Sequence, residues 1–210
     1  VIDLPKLYAI VDVEVCERAG WTPRRLAQAY LSGGARLLQL RAKDVQGAAF
    51  LALAEAMVRD ARQAGARVII NDRADIAALS GADGVHVGQQ DLAPADVRRV
   101  VGSTPLVGWS THTPEQIESA LTMPISYFAI GPIFATSTKA TGYDHLGPEA
   151  VTRAAARSRH ADLPVVAIGG ITLATAPRVI EAGATSVAVI TDLVAADPEA
   201  RVRDYLRALA

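Results

Sequence analysis

Short apolar runs alternate with longer amphipathic stretches along the whole chain. Eight runs read as strands: residues 7–11, 37–41, 67–71, 84–87, 106–110, 127–131, 165–168 and 186–190. They are nearly continuous in apolar residues, as strands buried on both faces should be. Helical periodicity follows them, clearest over 22–32, 47–64, 114–121 and 174–182. Start signals agree: Thr113-Pro114-Glu115 places Thr at an N-cap and Pro in the first turn, and Pro94 repeats the pattern.

A weak echo links four of these segments. "SGGARLLQL" (32–40), "QAGARVIIN" (63–71), "SGADGVHV" (80–87) and "EAGATSVAV" (181–189) each end a helix, pass through Gly and Ala, and enter a β-branched or Leu-rich run. Glycine suits the left-handed residue that stops a helix. Eight alternating β and α elements predict one α/β domain over 1–210, a (β/α)8 TIM barrel. A doubly wound open sheet would place a glycine-rich turn after the first strand, and "YAIVDVEVCER" has none.

The 210 residues, half of them hydrophobic, suffice for one sizeable core. Lys plus Arg number 21 against 22 for Asp plus Glu, so no basic field points to nucleic acid or a membrane surface. No apolar run is long enough to span a bilayer, and the first residues lack the basic and apolar regions of a secretory signal. The single cysteine, Cys16, excludes an internal disulfide. A soluble cytoplasmic protein acting on small molecules is the expectation.

In such a barrel the chemistry sits at the C-terminal strand ends. After the second strand, Gln39 and Arg41 share one side, with Leu38 and Leu40 on the other, and Lys43 continues the polar side. Arg41 in a barrel mouth needs an anion: a phosphate, or an ion pair with Asp44 or a neighbouring carboxylate. The third strand ends in Asn71-Asp72, and the fourth leads to Gln89 and Asp91. Two carboxylates on adjacent strands suit Mg²⁺ with substrate phosphate oxygens, although each Asp could instead cap the helix after it. Ser110 and His112 follow the fifth strand, with no G-x-S-x-G elbow to make Ser110 a nucleophile. His86, inside a strand, reads as a satisfied core residue, and His145 and His160 as solvent-facing.

The longest connection at this end, "GPIFATSTKATGYDHLG", supplies Thr136, Ser137, Thr138 and Lys139 without a Walker A pattern; its length suits a lid. Gly169 and Gly170 follow the seventh strand, and Ile190-Thr191 ends the eighth. Loops after these two strands often hold a phosphate on backbone N–H groups. The set therefore divides. Arg41, Lys43, Asn71, Ser110, Lys139 and a Mg²⁺ on Asp72 and Asp91 suit a diphosphate; Thr136–138, Gly170 and Ile190-Thr191 suit a single phosphate. Metal-assisted loss of diphosphate, with a second substrate capturing the cation, needs no acid/base dyad.

Together, in order and over nearly the whole chain, "LLQLRAKD", "IINDRADIAALSGADGVHVGQQDL", "GWSTHT", "GPIFATSTKATG" and "VVAIGGIT" resemble the thiamine phosphate synthase family. The resemblance implies a (β/α)8 barrel that couples hydroxymethylpyrimidine diphosphate to thiazole phosphate with Mg²⁺. It implies that Gln39, Leu40, Arg41, Ala42 and Lys43 form the pyrimidine diphosphate segment, with Asn71, Ser110 and Lys139 as further contacts. Arg41, Lys43, Ser110 and Lys139 would be catalytic, Asp72 and Asp91 the metal ligands. Thr136, Ser137, Thr138, Gly170, Ile190 and Thr191 would hold the thiazole phosphate. Two positions depart from the family: Ala42 stands where Glu is frequent, and Thr191-Asp192 replaces Ser and a small residue. Asp192 either points into the last helix cap or weakens the phosphate site. A thiazole tautomerase on the same barrel, or a non-catalytic thiamine-pathway binder, are the alternatives.

Overall fold

The structure, a computed structural model, describes residues 2–136 and 143–210. Eight parallel strands close into a barrel in chain order: β1 Leu7–Asp12, β2 Leu37–Arg41, β3 Arg67–Asn71, β4 Gly84–Val87, β5 Leu106–Thr111, β6 Tyr127–Ile130, β7 Val165–Ile168 and β8 Ser186–Val189. Pairing of Leu7 with Val187 closes the ring. The sequence places four of these strands with the same bounds; the other four differ by one residue at the C-terminal end.

Helices α1 (Val13–Arg18), α2 (Pro23–Ser32), α3 (Gly47–Gln63), α4 (Ala74–Ser80), α5 (Pro94–Val101), α6 (Pro114–Ala120), α7 (Pro148–Ser158), α8 (Ala176–Glu181) and α9 (Pro198–Ala208) surround it. Thr113 caps α6 by accepting from the Gln116 amide, and Pro114 and Pro94 open their helices as the sequence indicates. The short α1, which apolar periodicity does not reveal, is started by Asp12, whose carboxylate accepts from the Val15 amide at 3.0 Å. Gly65 and Gly81 stop α3 and α4 at φ 65° and 66°, the left-handed values that an added Cβ disfavours.

The strand alternation builds two cores. Leu38, Leu40, Val68, Ile70, Val85 and Val107 point outward and pack under the helices. Tyr8, Ile10, Leu37, Ile69, Tyr127, Ala129, Val166 and Ala188 fill the barrel interior. These inner residues plug the barrel, so a ligand can enter only beyond them, and the C-terminal mouth is where strand ends and loops meet.

Candidate active site

Inward-pointing residues nearest the strand ends line a cavity of about 440 Å³ at that mouth. Gln39 and Arg41 reach it from β2, Asn71 from β3, His86 from β4 and Ser110 from β5. The opposite wall is Thr136, Gly169, Gly170, Thr172, Ile190 and Thr191. Arg41, Asn71 and Ser110 from one half read in the sequence and Thr136, Gly170, Ile190 and Thr191 from the other thus share one cavity.

Arg41 is half-paired. Its NH1 donates to the carboxylate of Asp12, its partner in register on β1, which is 2% exposed. The ion pair seen by sequence as an alternative is present, with Asp12 rather than Asp44 as the acid. The guanidinium also borders the cavity. Leu40 and Ala42 are buried in the layer between barrel and helices, so their side chains face away from the cavity. Lys43 is exposed beyond the strand end and outside the cavity lining. Ser137, Thr138 and Lys139 lie outside the described residues.

Asp72 and Asp91 also stand outside the lining, past the ends of β3 and β4. Asp72 adopts φ 63°, a left-handed turn that Asp tolerates better than most residues. Its amide donates to His86 O at 2.8 Å, extending the strand pairing by one step. Asp91 is exposed, and its carboxylate accepts from the Gly88 amide at 2.7 Å. Neither is the N-cap of the following helix: Arg73 occupies that position in α4 and Ala93 in α5. Among the described residues no cluster of three or more His, Cys, Asp or Glu forms a metal cage. Each carboxylate offers the oxygen donors that a hard cation keeping water and phosphate ligands takes.

Gly169 and Gly170 have φ 101° and 63°. A Cβ on Gly169 would strike Pro132, and one on Gly170 the Phe134 and Ala135 main chain. Their smallness thus first serves the approach of the β6 loop, whose Ile133 and Phe134 amides donate to Ile168 O and Gly169 O at 2.9 Å each.

The sequence profile described as thiamine monophosphate synthase matches residues 7–193. The thiamine-phosphate synthase of Koribacter versatilis is 42% identical over 213 residues, covering 99% of this chain and 97% of that protein. The Thermus thermophilus thiamine-phosphate synthase is also 42% identical, over 95% of each chain. The chain belongs to the thiamine monophosphate synthase family. Membership makes it an enzyme of thiamine phosphate synthesis. A thiamine phosphate pyrophosphorylase from Pyrococcus furiosus shares the fold, with a TM-score of 0.86, 24% identity and coverage of 97% of this chain and 95% of that one.

Asp192, which departs from the family's usual residue, borders the cavity beside Thr191, with its carboxylate engaged by α9 and the loop after β7. Its carboxylate accepts from the Leu173 amide at 2.8 Å, from both sides of its fork by Arg201 NH2 at 2.8 Å, and from the Tyr205 hydroxyl at 2.6 Å. Burial opposes its charge, yet these donors hold the carboxyl below the usual carboxylate range. Asp192 therefore fastens the 3-10 turn Thr191–Leu193 and the loop after β7 to α9. The sequence offers the cap of the last helix as one outcome; that cap is Asp197, and Asp192 is held instead by the Arg201 and Tyr205 side chains within α9.

Sequence reading passes over Asp12. Asp12 closes an apolar strand just as Asn71 does, and that rule would have found it. His86 alternates inward between Val85 and Val87, and its ring pairs with Tyr127 and Ser110. It is the satisfied interior residue that the sequence suggests, and it also borders the cavity. His112 borders it too, its Nδ1 donating to Gly131 O at 2.5 Å.

Proposed function

We propose that this chain joins hydroxymethylpyrimidine diphosphate to thiazole phosphate, giving thiamine monophosphate and diphosphate. The observation that carries this reading is the single cavity bounded on one side by Gln39, Arg41, Asn71 and Ser110 and on the other by Thr136, Gly170, Ile190 and Thr191. Amide, hydroxyl and guanidinium groups on the first side suit a polar heterocycle and its diphosphate. Small residues, hydroxyls and exposed main chain on the second suit a phosphate monoester.

In the reaction proposed, the carbon–oxygen bond between the pyrimidine methylene and the diphosphate breaks first. Both electrons leave with the diphosphate, and a pyrimidine-methyl cation remains. The thiazole ring nitrogen then donates its lone pair to that carbon. No redox change occurs and no proton need be removed. Arg41, Lys43 and Lys139 hold the departing diphosphate, Ser110 and Asn71 orient the pyrimidine, and Thr136, Ser137, Thr138, Gly170, Ile190 and Thr191 keep the thiazole in line. Asp72 and Asp91 would hold Mg²⁺, which when bound neutralises charge on the leaving diphosphate.

The test is a synthesis assay with purified protein, both substrates and Mg²⁺, the product identified by mass. Thiamine monophosphate and diphosphate formed only when all components are present is the expected result. Conversion of a thiazole phosphate alone, or binding of it without turnover, would replace this reading by the isomerase or the binder.

A further inference from the structure

Five side chains form one buried hydrogen-bonded line across the barrel. Gln39 Nε2 donates to the Tyr8 hydroxyl at 2.8 Å, which pairs with the Tyr127 hydroxyl at 3.0 Å. Tyr127 pairs with His86 Nδ1 at 3.2 Å, and His86 Nε2 with Ser110 Oγ at 2.8 Å. Gln39 and Ser110, at its two ends, both border the cavity, whereas Tyr127 is fully buried and does not.

The line is a built feature. His86, Gly108 and Tyr127 stand in register on β4, β5 and β6. A Cβ on Gly108 would overlap both the Tyr127 ring and His86 Nδ1. The missing side chain of Gly108 is the gap through which Tyr127 reaches the imidazole. The two rings stack with centroids 5.6 Å apart.

Each hydroxyl has one proton, so the line has a direction. Burial raises both tyrosine pKa values, and the phenols stay protonated. Suppose His86 carried its proton on Nδ1 and donated to Tyr127, which donated to Tyr8. Tyr8 would then receive two donors, from Gln39 and Tyr127, and its own proton would need a third partner. Among the described residues the Tyr8 hydroxyl meets only those two, and although Tyr8 borders the cavity it is 1% exposed, against the half-buried Ser110. A buried, unused donor is unfavourable. An imidazolium at His86 would create the same orphan. In the opposite direction every proton is used: Gln39 to Tyr8, Tyr8 to Tyr127, Tyr127 to Nδ1, and Nε2–H to Ser110. The proton left over is that of Ser110, which is only half-buried and faces the cavity.

We propose that Tyr127 is a positioning residue: it fixes His86 as the Nε2–H tautomer and thereby makes Ser110 a hydrogen-bond donor toward an acceptor atom of the ligand. The ligand end rests on the function proposed above; the tautomer does not, so the two can fail separately.

The experiment is a ¹⁵N NMR measurement of imidazole nitrogens in the whole protein at pH 8. The chain has four histidines, assigned by single substitutions. His112 is an internal reference, because its Nδ1 faces the Gly131 carbonyl and must carry the proton there. His86 is expected to show an unprotonated Nδ1 and a protonated Nε2. Tyr8→Phe leaves the bond from Tyr127 to His86 in place and is expected to keep that pattern. Tyr127→Phe removes the donor and is expected to give a mixture of tautomers, with kcat/KM for the pyrimidine substrate reduced roughly 3- to 10-fold. His86 protonated on Nδ1 in the unaltered protein overturns the proposal without any variant. So does a Tyr127→Phe protein whose kcat/KM is unchanged.

Discussion

Asp12 and Arg41 close neighbouring strands in direct register, and the carboxylate of one grips the guanidinium of the other at the floor of the cavity mouth. The same carboxylate caps α1. Arg41 is thus held in place before any substrate arrives, and Asp12 is too buried to stand alone. Arg41→Ala should cost about 3–5 kcal/mol of stability, because it strands a buried charge. The double variant Asp12→Asn with Arg41→Ala should recover most of that loss in urea melts, while activity stays low in both. Recovery of activity along with stability would mean that Arg41 serves the fold and not the diphosphate.

Asp192 answers to α9 and to the loop after β7, so its loss should be felt at one substrate. Asp192→Ala removes the acceptor of the Leu173 amide, Arg201 and Tyr205 together. KM for the thiazole phosphate should rise several-fold while KM for the pyrimidine diphosphate holds. An equal rise in both would assign Asp192 to general stability. Its lowered pKa also has a sign. The folded state favours the carboxylate, so this stabilisation is full above the ordinary carboxylate range and fades as pH falls through the lowered value. Stability of Asp192→Asn should therefore depend less on pH in acid than that of the unaltered protein, measured by urea midpoints across that range.

Cys16 lies at the opposite extreme of reactivity. It is fully buried in the outer core, and burial, with the nearby charge of Asp12, pushes its thiol up to about 12. A thiolate is the reactive form, so the native protein should resist iodoacetamide at pH 8 and react at once in urea. The raised value means that folding favours the thiol: its contribution is full below the ordinary thiol value of 9.0 and is lost as pH rises toward about 12. Cys16→Ala should flatten that part of the alkaline stability profile. Rapid alkylation of the folded protein at pH 8 would contradict this placement.

The barrel was legible because its signals are local. Apolar runs such as 67–71 and glycine stops such as Gly65 and Gly81 each report on one turn of chain, and the structure repeats them. Gln39, Arg41, Asn71 and Ser110 were legible for a related reason: period-two alternation sends them inward at known strand ends. Pairings across strands were not. The choice of Asp12 over Asp44 for Arg41 depends on the β1–β2 register, which the apolar pattern does not specify. Gly108 looks like an ordinary weak strand residue until Tyr127 and His86 are seen on either side of it. Lys43 lies past Arg41, where β2 has ended, so alternation alone does not place its side chain.

Asp72 and Asp91 give the last prediction. Both residues stand past the ends of their strands, and Asp91 is kept in place by the Gly88 amide. Two carboxylates without further protein ligands bind Mg²⁺ weakly, and a substrate diphosphate must complete the shell. Metal affinity of the protein alone should accordingly be low and should rise when inorganic diphosphate is added, as followed by calorimetry. Asp72→Asn and Asp91→Asn should each raise the Mg²⁺ concentration for half-maximal rate by roughly 10-fold or more, the effect of about 1.5–3 kcal/mol for one charged contact. Asparagine keeps an oxygen for the Gly88 amide, so Asp91→Asn should melt like the unaltered protein. A metal titration unmoved by either substitution would return both residues to purely local roles, Asp91 tying its loop to Gly88 and Asp72 turning the chain out of β3.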